Sequence, residues 1–183
     1  MVAAASLLWG GALLFLVLGA RPDLRALPVL TTALYAFVCL AGFSAQLAFA
    51  LVPSPTRVLP SAYESARYPL IVLAITVPLA LVIAAAHSGP PGSAGALWRA
   101  GLACASGGLA VAAVPVLLGL YTLGPVVPAG AWRISLALGA AAGILAGLAL
   151  HLHCRAPGLL HVVLAHGLAM LAPAALLVAL HRR

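Results

Sequence analysis

Charge is what this chain has least of. Only 6% of its 183 residues are charged, against roughly 25% in an average soluble domain. The acidic side chains are Asp23 and Glu64; there is no lysine, and every basic side chain is an arginine. So small an acidic inventory excludes much chemistry. Cation and proton pumps place carboxylates inside the membrane, and neither Asp23 nor Glu64 lies in an apolar run. Paired carboxylates for acid–base catalysis or magnesium binding are missing, because the two sit in different loops. A Ser-His-Asp arrangement would have to borrow one of them, and no GxSxG is present. Basic clusters interleaved with aromatics are also absent, so nucleic acid is not an expected partner. Cysteine is scarce: Cys39, Cys104 and Cys154 are far apart and define no disulfide framework.

What the chain has in excess is apolar residues, 65% of the total. A soluble fold of this length needs more polar surface than that leaves. The bilayer is the solvent that fits, and only helices or closed barrels satisfy their backbone there. The apolar runs are continuous rather than alternating, which selects helices. Six are read: 2–20, 26–52, 70–86, 100–123, 134–152 and 159–180. The expected fold is therefore all-α, a single polytopic membrane bundle of six helices, or five if one run does not span. The first run ends in "LGA" like a signal peptide but lacks a positive leading region, so it is read as an uncleaved helix.

The connections carry interfacial residues. Trp98–Arg99 and Trp132–Arg133 each open an apolar run, with the indole at headgroup level and the guanidinium on phosphate. The net charge of +7 points the same way, to anionic lipid headgroups. Glu64 and Arg67 in "SAYESARYP" form a candidate surface ion pair in the longest loop. Arginines at 57, 67, 133, 182 and 183 share the side of the termini, and those at 21, 25, 99 and 155 the other, a slight lean toward cytoplasmic termini. Pro78, Pro115 and Pro173 fall near the middles of runs three, four and six, where proline kinks a membrane helix and frees a carbonyl.

Run five holds the sharpest packing signal. Ser135, Gly139, Gly143, Gly147 and His151 recur every four residues and share one helix face. Small residues let membrane helices approach backbone to backbone. Cys104, Gly108 and Ala112 in run four are a candidate partner face.

Four of the six histidines fall in "LHLHCRAPGLLHVVLAHG", residues 150–167. The short "RAPG" connection predicts an antiparallel hairpin of runs five and six. His151 and Cys154, three apart, would share a face, and His161 would come level with them. These three are candidate ligands for zinc or copper, lacking a fourth ligand and an orienting carboxylate. Bis-histidine haem needs room between facing helices that a glycine face on run six would remove. His166, deep in hydrocarbon and level with Gly147, is expected to fill the space beside that glycine. Gln46, Tyr35, Thr76, Tyr121 and Thr122 suit interhelical hydrogen bonds.

Three functions fit these residues. The first is a non-catalytic integral membrane subunit or scaffold, packing through Gly139, Gly143 and Gly147 against itself or other membrane subunits and needing no cofactor. The second is a small transporter of a neutral or anionic solute, with a path lined by Gln46, Tyr121 and His166. The third is a haem- or metal-binding electron-transfer subunit using the histidines between 151 and 166.

Overall fold

A computed structural model of the chain describes residues 1–51, 62–90, 93–123, 132–155 and 158–181. The described residues form helices and no strand. In chain order these are α1 (Val2–Leu18), α2 (Val29–Leu51), α3 (Ala62–Ala86), α4 (Ala94–Leu123), α5 (Trp132–His153) and α6, which starts at Leu159 and runs to His181. Helices α2 to α6 are long and apolar enough to cross a membrane, and α1 is a shorter apolar helix. The chain is an all-α, multi-pass helical bundle. Arg57, Arg182, Arg183 and the side chain of Glu64 lie outside the described residues. The backbone at Glu64 and Arg67 belongs to the first turns of α3 rather than to a loop, so this helix begins well before its apolar run.

The helices are arranged around α5. In its 18-residue apolar window 89% of the residues are buried, against 33–50% in the other four long helices. The cause is side-chain size. Its middle reads "SLALGAAAGILAGLAL", small on every side, so neighbours can close on it from all directions. Helices α6, α2 and α4 are its main partners, α3 and α1 lesser ones. Helix α1 also leans on α4, where the Trp9 indole N–H donates to Ala110 O at 3.1 Å.

The glycine face of α5 meets α6, and does so at backbone distance. A Cβ built on Gly139 would lie 2.5 Å from Ala174 Cα, and one on Gly143 would collide with the Met170 carbonyl oxygen. Two expectations are corrected here. The small face of α4 is not the partner of these glycines: Gly108 packs instead against Ala169 of α6 and Leu150 of α5. Nor does His166 fill the space beside Gly147; the flexible Met170 side chain does, 2.6 Å from a Cβ built there. Side chains on a helix point back toward its N-terminus, so residues seen as level by backbone counting are offset by about a turn.

The ends of α1, α3 and α5 and the starts of α2, α4 and α6 gather at one end of the bundle, opposite the termini. There the segment after α1 is tied to the end of α5. Arg21 N–H donates to Leu152 O at 2.9 Å, and the His153 ring nitrogen Nδ1 lies 2.7 Å from Gly19 O. Gly19, with φ +78°, ends α1 in a conformation that L side chains rarely adopt.

The contrast between two glycines is testable. Gly143→Ala forces a methyl group onto a carbonyl that cannot rotate away, whereas a Cβ on Gly101 meets nothing within 4 Å. Thermal unfolding in mild detergent should show Gly143→Ala destabilised by about 2 kcal/mol or more, with Gly101→Ala unchanged or slightly stabilised. Equal melting of the two would contradict the α5–α6 contact.

Candidate metal centre

Four buried side chains converge at the end of the bundle opposite the termini: Cys104, Cys154, His161 and His166. Each offers one ligand atom, and the four atoms lie within 4.8 Å of one another. Cys104 comes from α4, Cys154 from the residue just past α5, and the histidines from the start of α6. All are enclosed, with 4%, 9%, 3% and 1% of their surface exposed, respectively. The two sulfurs are 2.9 Å apart, and Cys154 Sγ is 3.3 Å from His161 Nε2. Both cysteines are free thiols.

Local backbone explains how two histidines five residues apart come to share a site. On an ordinary α-helix that spacing separates side chains by about 140°. Here α6 passes through a π-helical stretch at Val162–His166, where the Gly167 N–H reaches back to Val162 O. Closing hydrogen bonds across five residues brings such positions toward one face, and π turns are often found at functional sites. The turn before it is made possible by Gly158, with φ +96°, which starts α6 directly after the short connection. The rings of His161 and His166 then stand edge to face at 5.6 Å.

Part of the polar inventory of the pocket is unsatisfied. Neither ring nitrogen of His166, nor Nδ1 of His161, has a hydrogen-bond partner among the described residues. Leaving a buried polar group unpaired costs about 1–3 kcal/mol. The surroundings are Leu150, Ala165 and Ala169, which offer nothing in exchange.

His151 is not a member of this group, which corrects the expected set of His151, Cys154 and His161. The Cys154 N–H still donates to Leu150 O at 2.7 Å, yet the side chains of His151 and Cys154 go to different neighbours. His151 turns to the other side of α5 and stacks on Tyr35 with ring centroids 3.9 Å apart. Its Nε2 is 3.3 Å from His87 Nδ1, and His87 Nε2 is 2.8 Å from Thr31 Oγ1. Tyr35 OH donates to Gly147 O at 3.0 Å. Burial, aided by the nearby Arg21 cation, holds His87 below the ordinary histidine pKa.

The remaining expected residues are scattered. Gln46 is buried and donates to Pro69 O at 2.8 Å, between α2 and α3. Tyr121 is 82% exposed on the outside of α4, so Gln46, Tyr121 and His166 do not line one path. Trp98 is exposed beside Arg99 at the start of α4. Trp132 packs against Leu136 and Ala174 while Arg133 is half-buried and Ser135 buried. The residues do not suit haem. Gly139 and Gly143 close α5 onto the α6 backbone, leaving no slab for a macrocycle between those helices. Two thiols and two imidazoles are instead ligand types that a zinc-class ion could take.

No protein-family model matches the chain, and neither a curated protein nor a solved structure matches it. The class that the fold defines is a helical multi-pass membrane protein.

Among the described residues, Arg21, Asp23 and Arg155 form one charged cluster. Arg21, buried beside the end of α5, donates from Nε and Nη2 to the two oxygens of Asp23 at 2.7 and 2.9 Å, and Arg155 Nε lies 3.5 Å away from the same carboxylate. The hydrogen bonds from Arg21, with its charge, pull the Asp23 pKa from 3.8 to about 2. A carboxyl whose folded-state pKa is depressed adds stability above its unfolded value and loses it as pH falls through the folded one. Melting temperature should therefore drop between about pH 4 and pH 2. Asp23→Asn should melt lower than the natural chain at neutral pH and converge with it near pH 2; a gap independent of pH would dismiss the ion pair as its cause.

Proposed function

We propose that this protein is a non-catalytic membrane scaffold whose α4–α5–α6 core is closed by a zinc-class ion on Cys104, Cys154, His161 and His166. The observation that carries the reading is a buried set of two thiols and two imidazoles whose ligand atoms lie within 4.8 Å of one another, with three of the imidazole nitrogens unpartnered among the described residues. Zinc bonds sulfur at about 2.3 Å and imidazole nitrogen at about 2.0–2.1 Å in a tetrahedral site. Four protein ligands leave no open position for substrate, which is the mark of a structural site rather than a catalytic one. The ion would tie α4 to the α5–α6 hairpin, and its binding free energy would be folding free energy for that part of the bundle. The glycine face of α5 belongs to the same packing role, within the chain. A solute path finds no support in the positions of Gln46 and Tyr121. Lipid is the surrounding partner, with the exposed Arg99 on headgroup phosphate. The arginine distribution favours termini on the cytoplasmic side, which puts the centre near the opposite face.

Metal analysis of the purified protein tests this. One zinc per chain is expected, with the visible bands of a tetrahedral thiolate site after replacement by cobalt(II). Cys104→Ser and His166→Ala should each weaken binding by more than the roughly 10–100-fold that loss of an outer-shell partner costs. His151→Ala should keep the metal. Retention of full stoichiometry in both ligand variants would overturn the assignment.

A further inference from the structure

A metal ion is not the only thing that can join two thiols. Cys104 Sγ and Cys154 Sγ are 2.9 Å apart. A tetrahedral ion with sulfur bonds of about 2.3 Å holds its two sulfurs about 3.8 Å apart, while a disulfide needs about 2.05 Å. The observed separation falls between the two, so small side-chain movements reach either. The two bonded states exclude each other: disulfide sulfurs have given up the thiolate charge that binds the ion.

We infer that the centre is a peroxide-sensitive switch, in which oxidation of Cys104 and Cys154 to a disulfide releases the metal ion. The inference rests on the metal reading above and names the regulation of that site. The oxidant class follows from access. The thiols are 4% and 9% exposed and sit among Leu150, Ala165 and Ala169, which excludes a peptide-sized disulfide and admits a small uncharged peroxide. A cavity of about 350 Å³ between α4 and α6, lined by Trp98, Gly101, Leu102, Leu164 and Leu168, reaches His161 and offers an approach from the side of the bundle.

The chemistry balances. The thiolate of Cys154, the more exposed residue of the two, attacks one oxygen of hydrogen peroxide; the O–O bond breaks, hydroxide leaves, and Cys154 becomes a sulfenic acid. The Cys104 thiolate attacks that sulfur, the S–S bond forms, and a second hydroxide leaves. Two thiolates have lost two electrons, peroxide has gained them, and two solvent protons turn both hydroxides into water. The ion, stripped of both anionic ligands, is left on two neutral imidazoles and dissociates. A dithiol reductant reverses the step.

Cys39, buried in α2 apart from this cluster, is an internal control. Zinc-loaded protein in mild detergent is treated with hydrogen peroxide. Released zinc is read with a chromogenic chelator, and free thiols by intact mass after denaturing alkylation. One zinc per chain should be released as alkylatable thiols fall from three to one, and dithiothreitol with added zinc should restore both. In Cys39→Ala the thiols should fall from two to none. Zinc retained at full stoichiometry after peroxide, or zinc lost with both sulfurs as sulfinic acids, would overturn the switch alone. Reduced protein that takes up no zinc would overturn the metal reading and the switch with it.

Discussion

In hydrocarbon, apolar side chains gain nothing by leaving lipid for one another, so helices must be held by closer means than burial. This bundle depends on one such means: the approach of α5 to α6 along Gly139 and Gly143, where backbone meets backbone. At that range dispersion acts between main-chain atoms, and weak Cα–H contacts to carbonyls such as that of Met170 add to it. The small residues on the other faces of α5 extend the same logic to α2 and α4. A helix with ordinary leucines at these positions would hold α6 away, and the rest of the bundle would have no common axis to pack on.

The candidate centre inherits its geometry from this contact. With α5 and α6 locked along their length, Cys154 is delivered above the first turns of α6. Gly158 sets the turn, and the π stretch at Val162–His166 rotates His166 toward His161. Gly108, tight against Ala169 and Leu150, draws α4 in until Cys104 reaches Cys154. Glycine spacing and metal ligands are thus two consequences of one packing arrangement. Removing the first would scatter the second.

Local patterns in the chain explain which of this was legible beforehand. Long apolar runs, the Trp-Arg starts and the tight 155–158 connection are properties of neighbouring residues, and the helical multi-pass fold follows from them. The four-residue glycine register was visible too, but its partner was not, because every apolar helix offers small residues somewhere. Cys104 is 50 residues from Cys154, and nothing local marks it as a ligand rather than a small hydrophobe. Ordinary helical geometry turns His161 and His166 apart, and the π stretch that brings them together has no composition of its own. The three-residue spacing of His151 and Cys154 does not reveal that the His151 ring packs on Tyr35 instead.

Two polar clusters at the same end of the bundle meet the cost of burial in different ways. The His87–His151 pair shares its hydrogen bonds with Thr31 and stacks on Tyr35, so neutral imidazoles suffice. Arg21 is buried as a cation only because Asp23 meets it with both oxygens. The cysteine–histidine cluster has no such resolution within the protein: three imidazole nitrogens face no partner, and two sulfurs crowd each other. Any one of these groups could be replaced by an alanine or a leucine at less cost to the fold. That four converge, from α4, from α6 and from the connection before it, is unfavourable as packing alone and favourable as coordination, since a single cation satisfies one donor atom on each.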